Sequence, residues 1–284
     1  MVIIDEKTCR GCGLCARICH QRCIVLANGR GRSVARIDHT LCSTCTQCIA
    51  VCPQQALSWD RVPAVAYDAR RLPSAGQLDE LFKQRRTVRR FKADKVERVL
   101  LEEIVGYGIY APTNNYHLRA IVVDDPAVLE KLGAIIMRFV SWLYNLLYRP
   151  SIVFNLVKAI TPAIDDKARV KMEQGVKVGR AFETLPAAIV FVVGDPRIIL
   201  SEASAQYALY NMILYAQAKG IGSRINGGVP FTLDRSRQAR QYLGMQKHER
   251  ILATVELGYP AVRFRNKVEG KTMGIAWNGV EAHG

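Results

Sequence analysis

Cys9-Arg10-Gly11-Cys12-Gly13-Leu14-Cys15-Ala16-Arg17-Ile18-Cys19 and Cys42-Ser43-Thr44-Cys45-Thr46-Gln47-Cys48-Ile49-Ala50-Val51-Cys52 share one spacing, C-x2-C-x2-C-x3-C. Eight of the nine cysteines in the 284-residue chain lie in these two runs, and the ninth, Cys23, stands beside the first. The runs belong to an internal repeat of period 33 over residues 2–60: Ile4-Asp5 returns as Ile37-Asp38, Gln21 as Gln54 and Ile24 as Leu57. One run alone cannot close a four-thiolate site. Two packed halves can, if the fourth cysteine of each run ligates the cluster of the other. The expected ligands of one 4Fe-4S cluster are therefore Cys9, Cys12, Cys15 and Cys52. Those of a second 4Fe-4S cluster are Cys42, Cys45, Cys48 and Cys19. The rival is zinc, which typically uses two separated cysteine knuckles. Three cysteines at successive x2 intervals crowd a single tetrahedral ion but wrap a cube.

Working outward, no cysteine follows position 52. A disulfide framework would spread its cysteines along the chain, so this pattern argues against one. With 49% hydrophobic residues, the rest has ample material for a buried core. The formal net charge of +15 suits an acidic partner, nucleic acid or anionic lipid. Low-potential electron carriers are often acidic. No nucleic-acid-binding motif is present, so nucleic acid is not expected. Asp5-Glu6 stands where a basic leader region should be, and the expected compartment is the reducing cytoplasm.

The first 55 or so residues resemble the two-cluster bacterial ferredoxins. That family places proline after the fourth cysteine of a run. Cys52-Pro53 keeps it, whereas Cys19-His20 does not. His20 is then either a tolerated surface residue or a group that tunes a cluster. Cys23 aligns with Ala56 across the repeat and reads as a packed core thiol outside the ligand set.

Pro63, Pro73 and Gly76 punctuate a linker over 63–77, with Ser74 placed to cap a following helix. Next stands Arg85-Arg86-Thr87-Val88-Arg89-Arg90, four of whose guanidinium groups could clamp a phosphate or form a solvated basic face. An amphipathic helix over Val96–Gly108 leads to Ala111-Pro112-Thr113-Asn114-Asn115 and a strand at 120–123. This order resembles the nitroreductase-like flavoproteins. The resemblance implies FMN, with Arg85, Arg86, Thr87 and Arg89 on the phosphate side and Asn114 or Asn115 reaching the flavin. Tyr116-His117-Leu118-Arg119 departs from the family's Gln-Pro-aromatic pattern. It leaves His117 as a proton donor or an ordinary loop residue.

Residues 127–160 are strongly apolar, but Arg138, Arg149, Pro150 and Lys158 interrupt them, so no membrane span is expected. Two helices divided at Arg149-Pro150 fit, serving as a core or dimer surface, a lid, or a membrane-surface element. The apolar run 185–193 is a buried strand. A long helix over 201–219 ends at Gly220-Ile221-Gly222, and Ile251–Leu257 is a further strand followed by Gly258-Tyr259-Pro260. The same resemblance places the long helix at a dimer interface and Asn226, Gly227 and Gly228 against the flavin ring. It also puts a further phosphate contact among Arg263, Arg265, Lys267 and Lys271, with Lys271 first.

The expected architecture is α+β, a ferredoxin-like domain over 1–62 and a nitroreductase-like domain over 78–284. The implied activity passes electrons from a soluble one-electron donor, such as a ferredoxin or flavodoxin, through two 4Fe-4S clusters to FMN. A small acceptor (a nitroaromatic, quinone or activated alkene) is then reduced by a homodimer. Membrane-surface contact is not expected. Two alternatives stand beside it: an electron-transfer protein docking to a larger redox complex, and NAD(P)H-dependent reduction of a ferredoxin. No side chain declares itself a catalytic acid.

Overall fold

The 33-residue repeat returns as a repeat of backbone conformation. In the computed structural model the chain forms two units, residues 1–73 and the described residues from Ser74 onward. All residues are described except 30, 113–116, 162, 163, 271, 272, 279 and 282–284. The first unit runs β1 (Val2–Ile4), α1 (Leu14–Ile18), β2 (Ile24–Gly29), β3 (Arg32–Ile37), α2 (Gln47–Ala50), β4 (Leu57–Trp59) and β5 (Val62–Pro63). β1, β4 and β5 form one antiparallel sheet, while β2 and β3 form a hairpin.

Left-handed backbone recurs at repeat-equivalent positions: Gly11 (φ 64°) and Thr44 (φ 58°), Gly13 (φ 74°) and Thr46 (φ 62°), Arg22 and Gln55 (both φ 51°). The hydrogen bonds recur too. Arg22 N–H donates to Cys19 O and Gln55 N–H to Cys52 O, each at 3.1 Å. Asp5 N–H reaches Ala56 O, and Asp38 N–H reaches Cys23 O, each at 2.8 Å, so each half is stitched to the strand of the other. Four of the ten buried residues in this core are cysteines, beside Val2, Ile24, Val34, Ala35, Ala56 and Leu57. So small an apolar core stabilises a fold weakly on its own.

The second unit opens with α3 (Ala75–Gln84). Ser74 caps it: its hydroxyl accepts from Gln77 N–H, and Gln77 reaches back to Ser74 N–H. There follow α4 (Arg98–Gly106), β6 (Arg119–Val123), α5 (Pro126–Leu143), α6 (Ser151–Ile160), α7 (Asp166–Val178), β7 (Ala188–Gly194) and α8 (Ser201–Ala218). The chain continues through β8 (Gly222–Ile225), α9 (Gly228–Leu233), α10 (Arg237–Tyr242), β9 (Arg250–Gly258) and a hairpin of β10 (Ala276–Trp277) and β11 (Val280–Glu281). The main sheet is antiparallel in the order β6-β7-β9-β8.

β7 explains the layers. Every residue of it is buried, and its pleat divides them. Ala188, Val190 and Val192 enter a core with Ala205, Ala208, Leu209, Met212 and Ile213 of α8. Ile189, Phe191 and Val193 enter a second core with Leu129, Leu132, Ile135 and Ile136 of α5. Helices therefore cover both faces, which is why the strand reads as an unbroken apolar run. The stretch 127–160 divides as the sequence suggests. After α5 a single π-helical turn, Tyr144–Tyr148, precedes Pro150 and α6. The inner side of α6 is held by Phe154 against Tyr148 and the Arg169 guanidinium. Among the described residues no helix is long and apolar enough to cross a membrane.

Candidate functional site

The first unit contains two cavities, and each is ringed by one of the expected cysteine sets. Cys9, Cys12, Cys15 and Cys52 line one cavity with Leu26, Ala35 and Leu57. Cys42, Cys45, Cys48 and Cys19 line another with Val2, Cys23, Ile24 and His20. Four thiols around a cavity suit a cube with iron at four corners. The donor set, four thiols about each cavity, thus fits an iron–sulfur cluster at each. Ala35 N–H donates to Cys9 Sγ at 3.5 Å and Ala56 N–H to Cys52 Sγ at 3.4 Å, contacts of the kind that tune cluster potentials.

Gly11 shows how closely the first cavity is built. A Cβ there would lie 2.3 Å from the carbonyl oxygen of Ser33, and its φ of +64° is itself unfavourable for side chains. Around the second cavity, burial pushes the Cys48 thiol up to about 11. Cys23, 4% exposed, is pushed up to about 12 by burial and by its neighbour Cys19, whose sulfur lies at 3.4 Å. Burial also acts upward on Cys19, but hydrogen bonds from Cys23 and backbone N–H groups outweigh it and lower that thiol. Cys23 is thus a packed thiol that also touches Cys19, one of the expected ligands. His20 is exposed at the rim of the same cavity.

The second candidate site gathers residues far apart in sequence. Thr87 bridges to Ser223 of β8 in parallel, Val88 N–H donates to Ser223 O at 2.9 Å, and Phe91 bridges to Pro260. This lays the arginine segment along the free edge of β8. Gly222 is needed there, since a Cβ on it would meet Val88 Cγ2 at 2.7 Å. Extended backbone alternates its side chains. Arg86 and Val88 line a cleft with Gly222, Pro260 and Arg265, and Arg85, Thr87 and Arg89 do not. Arg86 spends its guanidinium on the carbonyls of Lys83 and Arg85, at 2.6 and 2.8 Å. Arg85 and Arg89 have no carboxylate partner among the described residues, which leaves them available to a phosphate. Arg90, by contrast, is paired with Glu183 at 2.6 Å.

β8 leads straight into Asn226-Gly227-Gly228. Asn226 Nδ2 donates to Glu256 Oε1 at 2.9 Å, and Thr254 Oγ1 donates to the Asn226 carbonyl at 2.8 Å. Sequence reading had no role for Glu256. Its signal was available: it is the single ionisable residue in the apolar run Ile251–Leu257. His117 lies two residues before β6 with Nε2 3.0 Å from Ser201 Oγ, and its buried Nδ1 has no hydrogen-bond partner among the described residues. Asn114, Asn115 and Lys271 lie outside the described residues. Lys267, the neighbouring basic candidate, is engaged with Glu80 at 2.5 Å.

The model of the nitroreductase family matches residues 82–259, and that of the 4Fe-4S dicluster domain matches residues 8–56. A protein of Thermus thermophilus named NADH dehydrogenase is 28% identical over 192 residues, covering 63% of this chain and 84% of its own. A Bacteroides fragilis nitroreductase solved with bound FMN superposes with a TM-score of 0.51 at 22% identity, over 71% of this chain and 99% of that one. A Desulfitobacterium hafniense nitroreductase with bound FMN gives 0.52 at 19%, over 67% and 93%. At these identities the structural likeness shows the fold.

Proposed function

This chain belongs to the nitroreductase family and carries an N-terminal 4Fe-4S dicluster domain, and from that premise we propose that it is an FMN-dependent oxidoreductase fed through two 4Fe-4S clusters. Electrons enter from a low-potential one-electron donor such as a ferredoxin or flavodoxin. They leave to a small organic acceptor, a nitroaromatic, quinone or activated alkene. When bound, the clusters carry electrons singly and FMN takes them singly and delivers them in pairs. The observation that carries this reading is the pairing of two four-cysteine cavities with the carboxylate-free arginines Arg85 and Arg89 in one chain.

The residues supply the rest. Cys9, Cys12, Cys15 and Cys52 hold one cluster; Cys42, Cys45, Cys48 and Cys19 hold the other. Arg85, Thr87 and Arg89 bind the FMN phosphate by charge-assisted and hydroxyl hydrogen bonds. Asn226, Gly227 and Gly228 receive the ring, because a turn without side chains lets backbone N–H groups approach a planar ligand. A positive field from Arg85 and Arg89 favours electron-rich, anionic ligands at the site. The net charge of +15 favours an acidic donor. We place the protein in the cytoplasm as a homodimer, to which Tyr207 and Tyr210, exposed on α8, offer an apolar surface.

The testing experiment is an anaerobic visible spectrum with iron, sulfide and FMN quantified, followed by reoxidation of the dithionite-reduced protein. About eight irons and one FMN per chain are expected, together with faster reoxidation by a nitro, quinone or enone compound than by buffer. A zinc-loaded, flavin-free protein sinks the proposal, as does indifference to every acceptor. The Thermus thermophilus relative favours a second reading, in which NADH reduces FMN and a ferredoxin is the product. Rapid anaerobic bleaching of flavin by NADH selects it.

A further inference from the structure

Glu256 stands where the fold calls for an apolar residue. β9 is an inner strand, and the register sets Glu256 between Ile189 of β7 and Arg224 of β8, with Thr254 opposite Phe191. Ile189 and Phe191 belong to the core that Val229 and Leu233 of α9 complete. Glu256 is 1% exposed. Burying a carboxylate there is costly unless its oxygens are engaged. Burial pushes its carboxyl upward despite the hydrogen bond from Asn226 and the charge of Arg224.

Both oxygens are spent on the β8 edge. Oε1 accepts from Asn226 Nδ2 at 2.9 Å, and Oε2 accepts from the Arg224 guanidinium at 3.4 Å. Thr254, two residues away on the same face, donates to the Asn226 carbonyl at 2.8 Å. Asn226 is therefore gripped at both side chain and main chain. The turn after it closes through Val229 N–H to Asn226 O at 3.3 Å and Thr232 Oγ1 to Gly228 O at 3.0 Å. Gly227 and Gly228 have no side chains to hold their own conformation, so the direction of their amides is set from Asn226.

The geometry points to Glu256 as a positioning residue that, with Thr254, holds Asn226-Gly227-Gly228 in the conformation that receives FMN. This rests on the FMN reading above. A purely structural ion pair is the competing account. The longer contact goes to Arg224, and the shorter one goes to the turn.

The test is a fluorescence titration of the flavin-depleted full-length chain with FMN, with cluster absorbance and the melting temperature of the flavin-depleted protein read alongside. Glu256→Leu removes the grip at similar volume, whereas Glu256→Gln keeps an acceptor for Asn226. The leucine variant is expected to bind FMN about tenfold more weakly, the scale of one charge-assisted hydrogen bond. The glutamine variant is expected to stay within about threefold of wild type. Wild-type affinity in the leucine variant overturns the inference. So does an equal loss in both variants that tracks a lowered melting temperature. If the leucine variant does not fold, Thr254→Val decides, since unchanged FMN affinity there overturns the proposal. A wild-type chain that takes up no FMN overturns the functional reading itself.

Discussion

The two units solve the problem of building a site in opposite ways. In residues 1–73 the eight cysteines expected as ligands fall in two short runs. The apolar core around them is small and is itself partly cysteine. From Ser74 onward the weights are reversed: two large cores lie one on each face of the sheet. The proposed flavin site sits at the β8 edge, among residues 85–89, 226–228 and 256. The difference teaches where stability comes from. A unit built around its cofactor borrows stability from it, whereas a unit built around a sheet holds its site ready.

Removing iron tests that contrast with the largest effect. Chelation under anaerobic reducing conditions is expected to make residues 1–73 fully protease-sensitive while the chain from Ser74 stays resistant. Equal resistance of both units after iron loss breaks the comparison. Gly11→Ala is the next strongest. The backbone clash with Ser33 and the left-handed φ together are expected to destabilise the first unit by about 2–4 kcal/mol and to lower its iron content. Iron analysis and thermal melting check it.

In the second unit the effects are local. Arg89→Ala is expected to weaken FMN binding by about tenfold, while Arg86→Ala, whose guanidinium is held by the carbonyls of Lys83 and Arg85, stays within about threefold. Titration of the two variants sharpens the division, and the reverse ranking breaks it. The smallest effect concerns pH. The Arg119 guanidinium holds the Glu249 carboxyl below the usual glutamate range through hydrogen bonds at 3.0 and 2.7 Å. Its folded value lies below its unfolded one. Its contribution is therefore complete above the unfolded value, about 4.3, and is lost as pH falls through the folded value. Glu256 has the opposite sign: its penalty grows as pH rises from the unfolded value. Glu249→Gln is expected to cost about 1 kcal/mol at neutral pH, a loss that shrinks on acidification. Denaturant unfolding of both chains, followed by circular dichroism across pH, measures it.

The sequence by itself determined the first unit's plan. A period of 33 and a fixed cysteine spacing carry the pairing of halves, because three of the cysteines around each cavity come from one short run and only the fourth from the other. It also marked β7 and α8, whose residue patterns are dictated by burial on two faces and by close helix packing. Tertiary structure alone decided the rest. Only tertiary structure sets Arg86 in a cleft that Arg85 and Arg89 do not line, because the surroundings of an extended segment depend on the strand edge it joins. Only the register of β8 on β9 brings Glu256 to Asn226, thirty residues away in sequence. A lone carboxylate in an apolar strand gives no hint of its partner in the sequence, since that partner comes from a pairing formed when the sheet closes.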